Sequence, residues 1–197
     1  MKGTEYVKLK GISDEMVKKF KIGLATKGGL HEHLLKRGFT EEECIECGVV
    51  TIRSGKTKDF FEHAVIFPVI VRGRVVYLTA RMLPENASDK FMHLRGEISY
   101  LYNEDVLYET DEVIICEGSV DTITAVQHGY SAVGVFGAQS FKESYVQKFR
   151  NVSKIYSCLD NDEGGWLGVK RLDEIFRGNI KVIKLPEGMD LNDYFNQ

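Results

Sequence analysis

The chain has 197 residues, of which 43% are apolar and 28% are charged, and its formal net charge is −3. This length fits one domain or two small ones with a real hydrophobic core, and the apolar fraction excludes a disordered chain. No run approaches the roughly 18 uncharged apolar residues of a membrane span, and the charged start at residues 1–10 contains no secretory signal, so we expect a cytoplasmic protein with no membrane partner.

The charge is unevenly distributed along the chain. Residues 1–100 contain 17 Lys and Arg against 13 Asp and Glu, whereas residues 101–197 contain 9 against 16. The net charge of −3 argues against a uniformly basic nucleic-acid coat. The pattern is compatible with a basic surface for a polyanion beside an acidic site that collects a metal ion.

The first half predicts short helices followed by a β-hairpin. Apolar residues at helical spacing, with capping Ser or Thr and terminal Gly, predict helices over residues 13–20, 31–37 and 40–47. Two apolar runs, 64–71 and 75–83, are separated by Arg-Gly-Arg, a pattern typical of antiparallel strands joined by a tight turn. We expect this smaller α+β N-terminal subdomain to span residues 1–105, because a polar stretch near residues 103–111 marks the boundary.

The second half predicts strands that alternate with helices. Short apolar runs predict four buried strands over residues 112–117, 131–136, 154–159 and 181–185. Helical spacing predicts helices over 119–128 and 166–176, and the polar segment 140–150 is also compatible with a helix. Such an alternation forms a parallel sheet through right-handed crossovers. The predicted fold class for residues 106–197 is therefore α/β with a parallel, doubly wound sheet.

Acidic side chains follow three of the four predicted strands. Glu117 closes the first strand, Asp160 and Asp162 follow the third, and Asp190 follows the fourth. Parallel sheets bind ligands at the carboxyl ends of their strands. Carboxylates that converge there repel one another unless a cation neutralises them, and hard divalent cations prefer oxygen ligands. The sequence therefore predicts a divalent-metal site at this edge.

At these residues the sequence resembles a known family. The segments that carry the resemblance are EGSVD at 117–121, GVFGAQS at 134–140, DNDEGG at 160–165 and LPEGMDLND at 185–193. They are similar to the successive motifs of a Toprim domain, and their spacing most resembles that of bacterial DnaG-type primases. In the first half, residues 6–25 and 34–50 resemble the entry segments of the primase RNA-polymerase domain, and the hairpin with the loop after it is also similar. The resemblance covers nearly the whole chain, which would not be expected of a Toprim nuclease.

The resemblance implies a metal-dependent nucleotidyltransferase that makes short RNA primers on single-stranded DNA. The implied catalytic residues are Glu117, Asp121, Asp160, Asp162 and Asp190. Among them, the implied metal ligands are Glu117, Asp160 and Asp162. The implied nucleic-acid contacts are Arg81, Lys90 and Arg95. The implied cofactor is Mg²⁺, with Mn²⁺ as an alternative and no zinc. The implied partners are a single-stranded DNA template, ribonucleoside triphosphates, and either a replicative helicase or a separate zinc-module protein.

The sequence departs from the family pattern in three places. His63 and Ala64 stand near the position of an arginine that precedes the apolar Phe-Pro strand, Asn192 occupies the place of a second carboxylate after Asp190, and the loop after Lys90 reads FMHLRG. The zinc module and the helicase-binding region of the family have no counterpart in the sequence. We therefore expect a catalytic-core fragment, a reduced stand-alone relative or one part of a split system.

Other interpretations stay open from the residues alone. A Toprim nuclease would use the same carboxylates for phosphodiester hydrolysis, and a non-catalytic nucleic-acid-binding module would keep them without chemistry. Cys44 and Cys47 form a Cys-x-x-Cys pair, but Cys116 and Cys158 lie inside predicted strands, so we expect thiols and not zinc ligands.

Overall fold

The structure is a computed structural model that describes residues 3–83 and 90–197. The helices in these ranges are α1 (Gly3–Leu9), α2 (Asp14–Lys19), α3 (Leu30–Lys36), α4 (Glu41–Glu46), α5 (Ser119–Gln127), α6 (Glu163–Ile175) and α7 (Leu191–Phe195). The strands are β1 (Gly23–Ala25), β2 (Val50–Arg53), β3 (Lys56–Asp59), β4 (Ala64–Val71), β5 (Arg74–Met82), β6 (Phe91–His93), β7 (Glu112–Cys116), β8 (Ala132–Gly134), β9 (Lys154–Cys158) and β10 (Lys181–Val182). No helix in the two described ranges is long and apolar enough to cross a membrane.

The first half is built on an antiparallel sheet in the order β1-β4-β5-β6. Its centre is the β4–β5 hairpin, which pairs from Ala64 opposite Met82 to Val71 opposite Arg74 and confirms the predicted hairpin. The two-residue turn is held by a 2.6 Å hydrogen bond from the backbone N–H of Arg72 to the carboxylate of Asp105. This sheet is the scaffold for the basic side chains discussed below.

Short helices and a second hairpin surround this sheet. The predicted helices over 13–20, 31–37 and 40–47 are confirmed as α2, α3 and α4. Ser13 caps α2 through a hydrogen bond from the N–H of Met16, and Thr40 forms a capping box with Glu43. Helix α1, strands β1 and β6 and the β2–β3 hairpin were not predicted.

The second half is a four-stranded parallel sheet in the order β10-β9-β7-β8, as the sequence predicts. Alternate residues of β7 face opposite sides because side chains alternate along a strand. Ile115 belongs to a core that contains Leu172 of α6, whereas Cys116 belongs to a core that contains Ala125 of α5 and Leu191 of α7. Helices therefore cover both faces, and the doubly wound α/β architecture is confirmed.

Three predicted elements of this half are shorter or of another type. Strand β8 ends at Gly134, after which the chain follows β7 through a separate hydrogen bond from the N–H of Val135 to the carbonyl oxygen of Cys116. Strand β10 has two residues, and the segment 140–150 contains a 3₁₀ helix, Glu143–Phe149, in place of an α-helix. The predicted lengths were wrong because apolar residues continue into the core beyond the regular backbone ladder.

The two halves are packed against each other. Tyr102 is buried, its ring stacks on Phe20 at 5.5 Å between centroids, and its backbone pairs with Gly134. Gln127 at the end of α5 accepts a hydrogen bond from the N–H of Ser13 and donates one to the carbonyl of Gly11, both of 2.8 Å. These contacts place the antiparallel sheet beside the carboxyl edge of the parallel sheet. The domain boundary at residue 105 stays a prediction.

Candidate active site

Two carboxylates meet where β7 and β9 end. Glu117 directly follows β7, and Asp160 lies two residues beyond β9. The strands are parallel neighbours with Cys116 opposite Cys158, so both acidic residues leave the sheet at the same edge. The N–H of Asp160 donates a hydrogen bond of 3.4 Å to Oε2 of Glu117. The structure therefore brings these two candidate residues together.

Two further carboxylates lie beside this pair. Asp121 stands in the first turn of α5 and is buried, and its Oδ1 accepts a hydrogen bond of 3.3 Å from the N–H of Asn192. Asp190 caps α7 by accepting a 2.6 Å hydrogen bond from the N–H of Asp193. Helices α5 and α7 thus hold the second pair of acidic side chains next to Glu117 and Asp160.

Asp162 caps a helix. It is the N-cap of α6, and its Oδ1 accepts a 2.8 Å hydrogen bond from the N–H of Gly165. A Cβ on Gly165 would lie 1.8 Å from the carbonyl oxygen of Asp160, so only glycine lets α6 start against this loop. In the described part of the chain, Asp162 is absent from the residues that line the cleft described below. Its role as a metal ligand stays a prediction.

Burial and mutual repulsion raise the pKa values of the carboxylates at the acidic edge. Burial, reinforced by Glu117, Asp121 and Asp190, raises the pKa of Asp160 to about 7. Burial and then the charge of Asp190 raise the pKa of Asp121 to about 7, and burial raises the pKa of Glu117. Carboxylates that repel one another in a half-buried place favour binding of a cation.

The antiparallel sheet supplies the opposite, basic wall. The guanidinium of Arg81 on β5 lies 5.6 Å from the ring centroid of Tyr6 and 5.3 Å from that of Phe91. Two aromatic rings thus hold this cation through cation–π contacts. Lys90, next to β6, lies in the same wall.

A cleft of about 420 Å³ separates the two walls. The residues that line it are Tyr6, Lys10, Thr79, Arg81, Lys90, Phe91, His93, Glu117, Gly118, Ser119, Val120, Asp121, Phe136, Gly137, Asp160 and Asp190. Six of the eight candidate residues from the sequence therefore share one cavity. A phosphate-bearing ligand in this cleft would face cations on one side and metal-binding carboxylates on the other.

Arg95 lies elsewhere. It is exposed, its guanidinium lies 5.9 Å from the ring centroid of Phe60, and it does not line the cleft. Its contact with nucleic acid stays a prediction. Among the tyrosines of the neighbouring segment, Tyr102 is a core residue, whereas Tyr108 is 49% exposed.

The donor set of the acidic edge fits a hard divalent cation. Glu117 and Asp160 offer carboxylate oxygens, and magnesium is commonly bound by one or two carboxylates together with substrate phosphates and water. Within residues 3–83 and 90–197, no three His, Cys, Asp or Glu side chains are gathered closely enough to form a complete protein cage. Two carboxylates from this edge, together with phosphate and water ligands, would suit such an ion.

Sequence reasoning gave no role to several cleft residues, among them Lys10 and His93. Lys10 forms ion pairs with Asp193 at 3.2 Å and with Asp190 at 3.8 Å. His93 packs edge-on against Phe136, burial lowers its pKa, and its buried Nδ1 has no hydrogen-bond partner among the described residues. Lys10 lies inside a segment that resembles the family and His93 inside the FMHLRG loop, and both side chains reach the cleft only through tertiary packing.

Two family models together match nearly all of the chain. Residues 1–114 match the family described as DNA primase catalytic core, N-terminal domain, and residues 114–195 match the family described as Toprim-like. The Toprim-like match implies that the second half binds a divalent metal ion.

Curated relatives and solved structures agree with this assignment. The DNA primase of Pseudomonas putida is 29% identical over 94% of this chain and 31% of its own length, and that of Clostridium acetobutylicum is 28% identical over 98% of this chain and 35% of its own length. The chain thus spans about a third of the length of the curated relatives that it matches.

Two solved structures share the fold over almost the whole chain. A DNA primase domain from Pseudomonas aeruginosa superposes with a TM-score of 0.83 at 26% identity and covers 98% of this chain and 66% of that one. A DnaG primase catalytic domain bound to single-stranded DNA superposes with a TM-score of 0.80 at 25% identity and covers 98% and 68%, respectively.

Proposed function

The chain belongs to the DNA primase catalytic-core family, and from this membership we propose that it joins ribonucleotides into short RNA primers on a single-stranded DNA template. The observation that carries the proposal is the cleft, which sets the acidic edge of the Toprim sheet opposite Arg81 and Lys90. Nucleotidyl transfer needs both walls, because the reacting groups are phosphates and their charge must be neutralised where the bond forms.

Each wall has a separate part in this proposal. Glu117 and Asp160, with Asp162 at the start of α6 as the third predicted ligand, would hold Mg²⁺, with Mn²⁺ as the alternative ion. A divalent ion held there would supply charge neutralisation for the triphosphate and would lower the pKa of the attacking 3′-hydroxyl. Arg81 and Lys90 bind the phosphates of the template or the incoming nucleotide.

The remaining cleft residues orient these groups. Tyr6 and Phe91 hold the Arg81 guanidinium between them, so little side-chain freedom is lost when it binds a phosphate. Asp121 fixes the start of α7 through the N–H of Asn192, and Phe136 offers an apolar surface at the side of the cleft. The proposed partners are a single-stranded DNA template, ribonucleoside triphosphates and, in the cell, a replicative helicase or a separate zinc-module protein.

Template-dependent incorporation of labelled ribonucleotides tests the proposal. We expect metal-dependent incorporation that Glu117→Gln reduces at least about 100-fold, because this change removes one carboxylate charge where the metal binds. The matched control is Glu112→Gln at the other end of β7, where Glu112 is exposed and pairs with Lys154.

Two results would contradict the proposal. One is wild-type incorporation by a folded Glu117→Gln variant. The other is metal-dependent degradation of labelled DNA or RNA in the absence of nucleotides, without any incorporation, which would assign the same site to hydrolysis.

A further inference from the structure

His93 faces the cleft from the edge strand of the antiparallel sheet. Strand β6 pairs with β5 so that Phe91 lies opposite Arg81 and His93 lies opposite Thr79. Side chains of directly paired residues point to the same face of a sheet, and so do alternate side chains along one strand. All four of these residues line the cleft. The basic wall therefore continues from Arg81 to an imidazole ring.

Aromatic contacts fix the position of this ring. The centroid of the His93 ring lies 5.6 Å from that of Phe136 at an interplanar angle of 75°, and the Phe136 centroid lies 6.2 Å from that of Tyr77. The hydroxyl of Tyr77 donates a hydrogen bond to the carbonyl oxygen of Leu94, which directly follows β6. His93 therefore has little side-chain freedom to lose when it binds a ligand.

The surroundings of His93 leave it one hydrogen-bond donor that faces the cleft. Burial lowers the pKa of the ring, so the ring is uncharged at neutral pH. Nδ1 is enclosed and has no partner among the described residues, so a proton on it would be a buried donor without an acceptor. The neutral ring therefore carries its proton on Nε2, which is not enclosed in this way. An uncharged donor suits a neutral oxygen, whereas Arg81 and Lys90 suit phosphates.

Phe136 and His93 lie beside the carboxylate pair. The N–H of Gly137 donates a 3.2 Å hydrogen bond to the carbonyl oxygen of Glu117, which places Phe136 next to the end of β7. In a nucleotide the sugar follows the phosphates and the base follows the sugar. When the phosphates lie at Glu117 and Asp160, the sugar is therefore the first group that reaches Phe136 and His93.

We propose that His93 is a specificity-determining residue, which recognises ribose by donating a hydrogen bond from Nε2 to the 2′-hydroxyl of a nucleotide in the cleft. Phe136 packs against the same sugar. This inference deepens the proposed function and rests on it for the position of the phosphates. It names the contact that separates ribonucleoside triphosphates from 2′-deoxyribonucleoside triphosphates, which carry the same charge.

Equilibrium binding of ATP and 2′-deoxy-ATP in MgCl₂, measured by isothermal titration calorimetry without template, tests the inference. We expect the wild type to bind ATP about 10-fold more tightly, which is near the upper end of what one neutral hydrogen bond contributes. The ligand control is 3′-deoxy-ATP. It keeps the 2′-hydroxyl and should bind like ATP.

Two variants separate the donor from the ring. His93→Phe keeps an aromatic ring without a donor, so the preference for ATP should fall to within about 2-fold, through weaker binding of ATP and unchanged binding of 2′-deoxy-ATP. His93→Gln places an amide N–H near the position of Nε2 and should keep most of the preference. Met92→Leu is the matched control, because Met92 lies on the same strand but packs into the core beside Ala80.

Two results would overturn the inference. One is equal affinity of the wild type for ATP and 2′-deoxy-ATP, and this comparison needs no substitution, so it applies even where His93→Phe fails to fold. The other is a folded His93→Phe variant that keeps the preference of the wild type. Absence of primer synthesis, together with a ribose preference that His93→Phe removes, would contradict only the proposed function.

Discussion

Single residues decide how the acidic edge responds to pH. In the metal-free protein the pKa of Asp121 lies at about 7, raised first by burial and then by Asp190, against 3.8 for an ordinary aspartate. The folded chain therefore binds more protons than the unfolded chain between about pH 4 and pH 7. By linkage, the contribution of this residue to stability is present below pH 4 and is lost as the pH rises through about 7.

Asp121→Asn should remove the loss of folding stability that the charged, buried Asp121 causes at high pH. In the presence of EDTA, we expect the variant to raise the thermal unfolding midpoint at pH 8 by about 2–4 °C relative to wild type, which corresponds to about 1 kcal/mol for a chain of this size. The gain should shrink at pH 5, where Asp121 of the wild type is already protonated. Calorimetry at both pH values measures it, with Asp173→Asn on the exposed face of α6 as the control. An equal loss of stability at both pH values would show that the carboxylate is not strained.

At the scale of elements, the start of α6 depends on one close approach. The helix begins directly against the loop that carries Asp160. A Cβ on Gly165 would lie only 1.8 Å from the Asp160 carbonyl oxygen, which is too close for any side chain. Backbone cannot give way as a flexible side chain can, so a methyl group there must displace the loop or the helix. The DNDEGG motif thus has a structural component beside its carboxylates.

Gly165→Ala should therefore lower the free energy of unfolding by at least about 2 kcal/mol, as overpacking against backbone does. Urea denaturation measures the effect. The neighbouring Gly164→Ala is the matched control, because its Cβ would approach only the side-chain oxygen of Asp162, at 3.3 Å. Equal stability of the two variants would contradict the packing described for α6.

Elements with buried apolar runs could be predicted from the sequence, whereas elements held by tertiary packing could not. Continuous apolar residues predict strands β7 and β9, and a terminal glycine helps to predict where helix α5 ends. Helix α1 has seven residues, too few to be stable without tertiary packing such as the burial of Tyr6, and strand β3 reads Lys-Thr-Lys-Asp without an apolar alternation. For the site, the acidic motifs named four carboxylates that line the cleft, Glu117, Asp121, Asp160 and Asp190, and a fifth, Asp162, that caps α6 and does not line it. The ion pair of Lys10 with Asp190 joins residues 180 positions apart and leaves no local signal.

At the scale of the whole molecule, each half of the chain contributes one wall of the cleft. The parallel sheet contributes the carboxylates, the antiparallel sheet contributes Arg81 and Lys90, and the contacts of Gln127 and Tyr102 hold the walls in place. The uneven charge of the sequence, with basic residues in excess in the first half and acidic residues in the second, agrees with this division. It also predicts that substitutions in the two walls alter different steps of the reaction.

Primer synthesis measured as a function of template concentration tests this division most directly. Asp160→Asn should lower the rate at saturating template at least about 100-fold with little change in the template concentration that gives half the maximal rate. Arg81→Ala should raise that concentration about 10-fold, equivalent to about 1.4 kcal/mol of binding, and leave most of the maximal rate. Arg74→Ala, on the same strand but outside the cleft, and Asp173→Asn should behave as the wild type. Full maximal rate in Asp160→Asn would contradict the account. So would a result in which Asp160→Asn and Arg81→Ala both change only the maximal rate, or both change only the half-saturating template concentration.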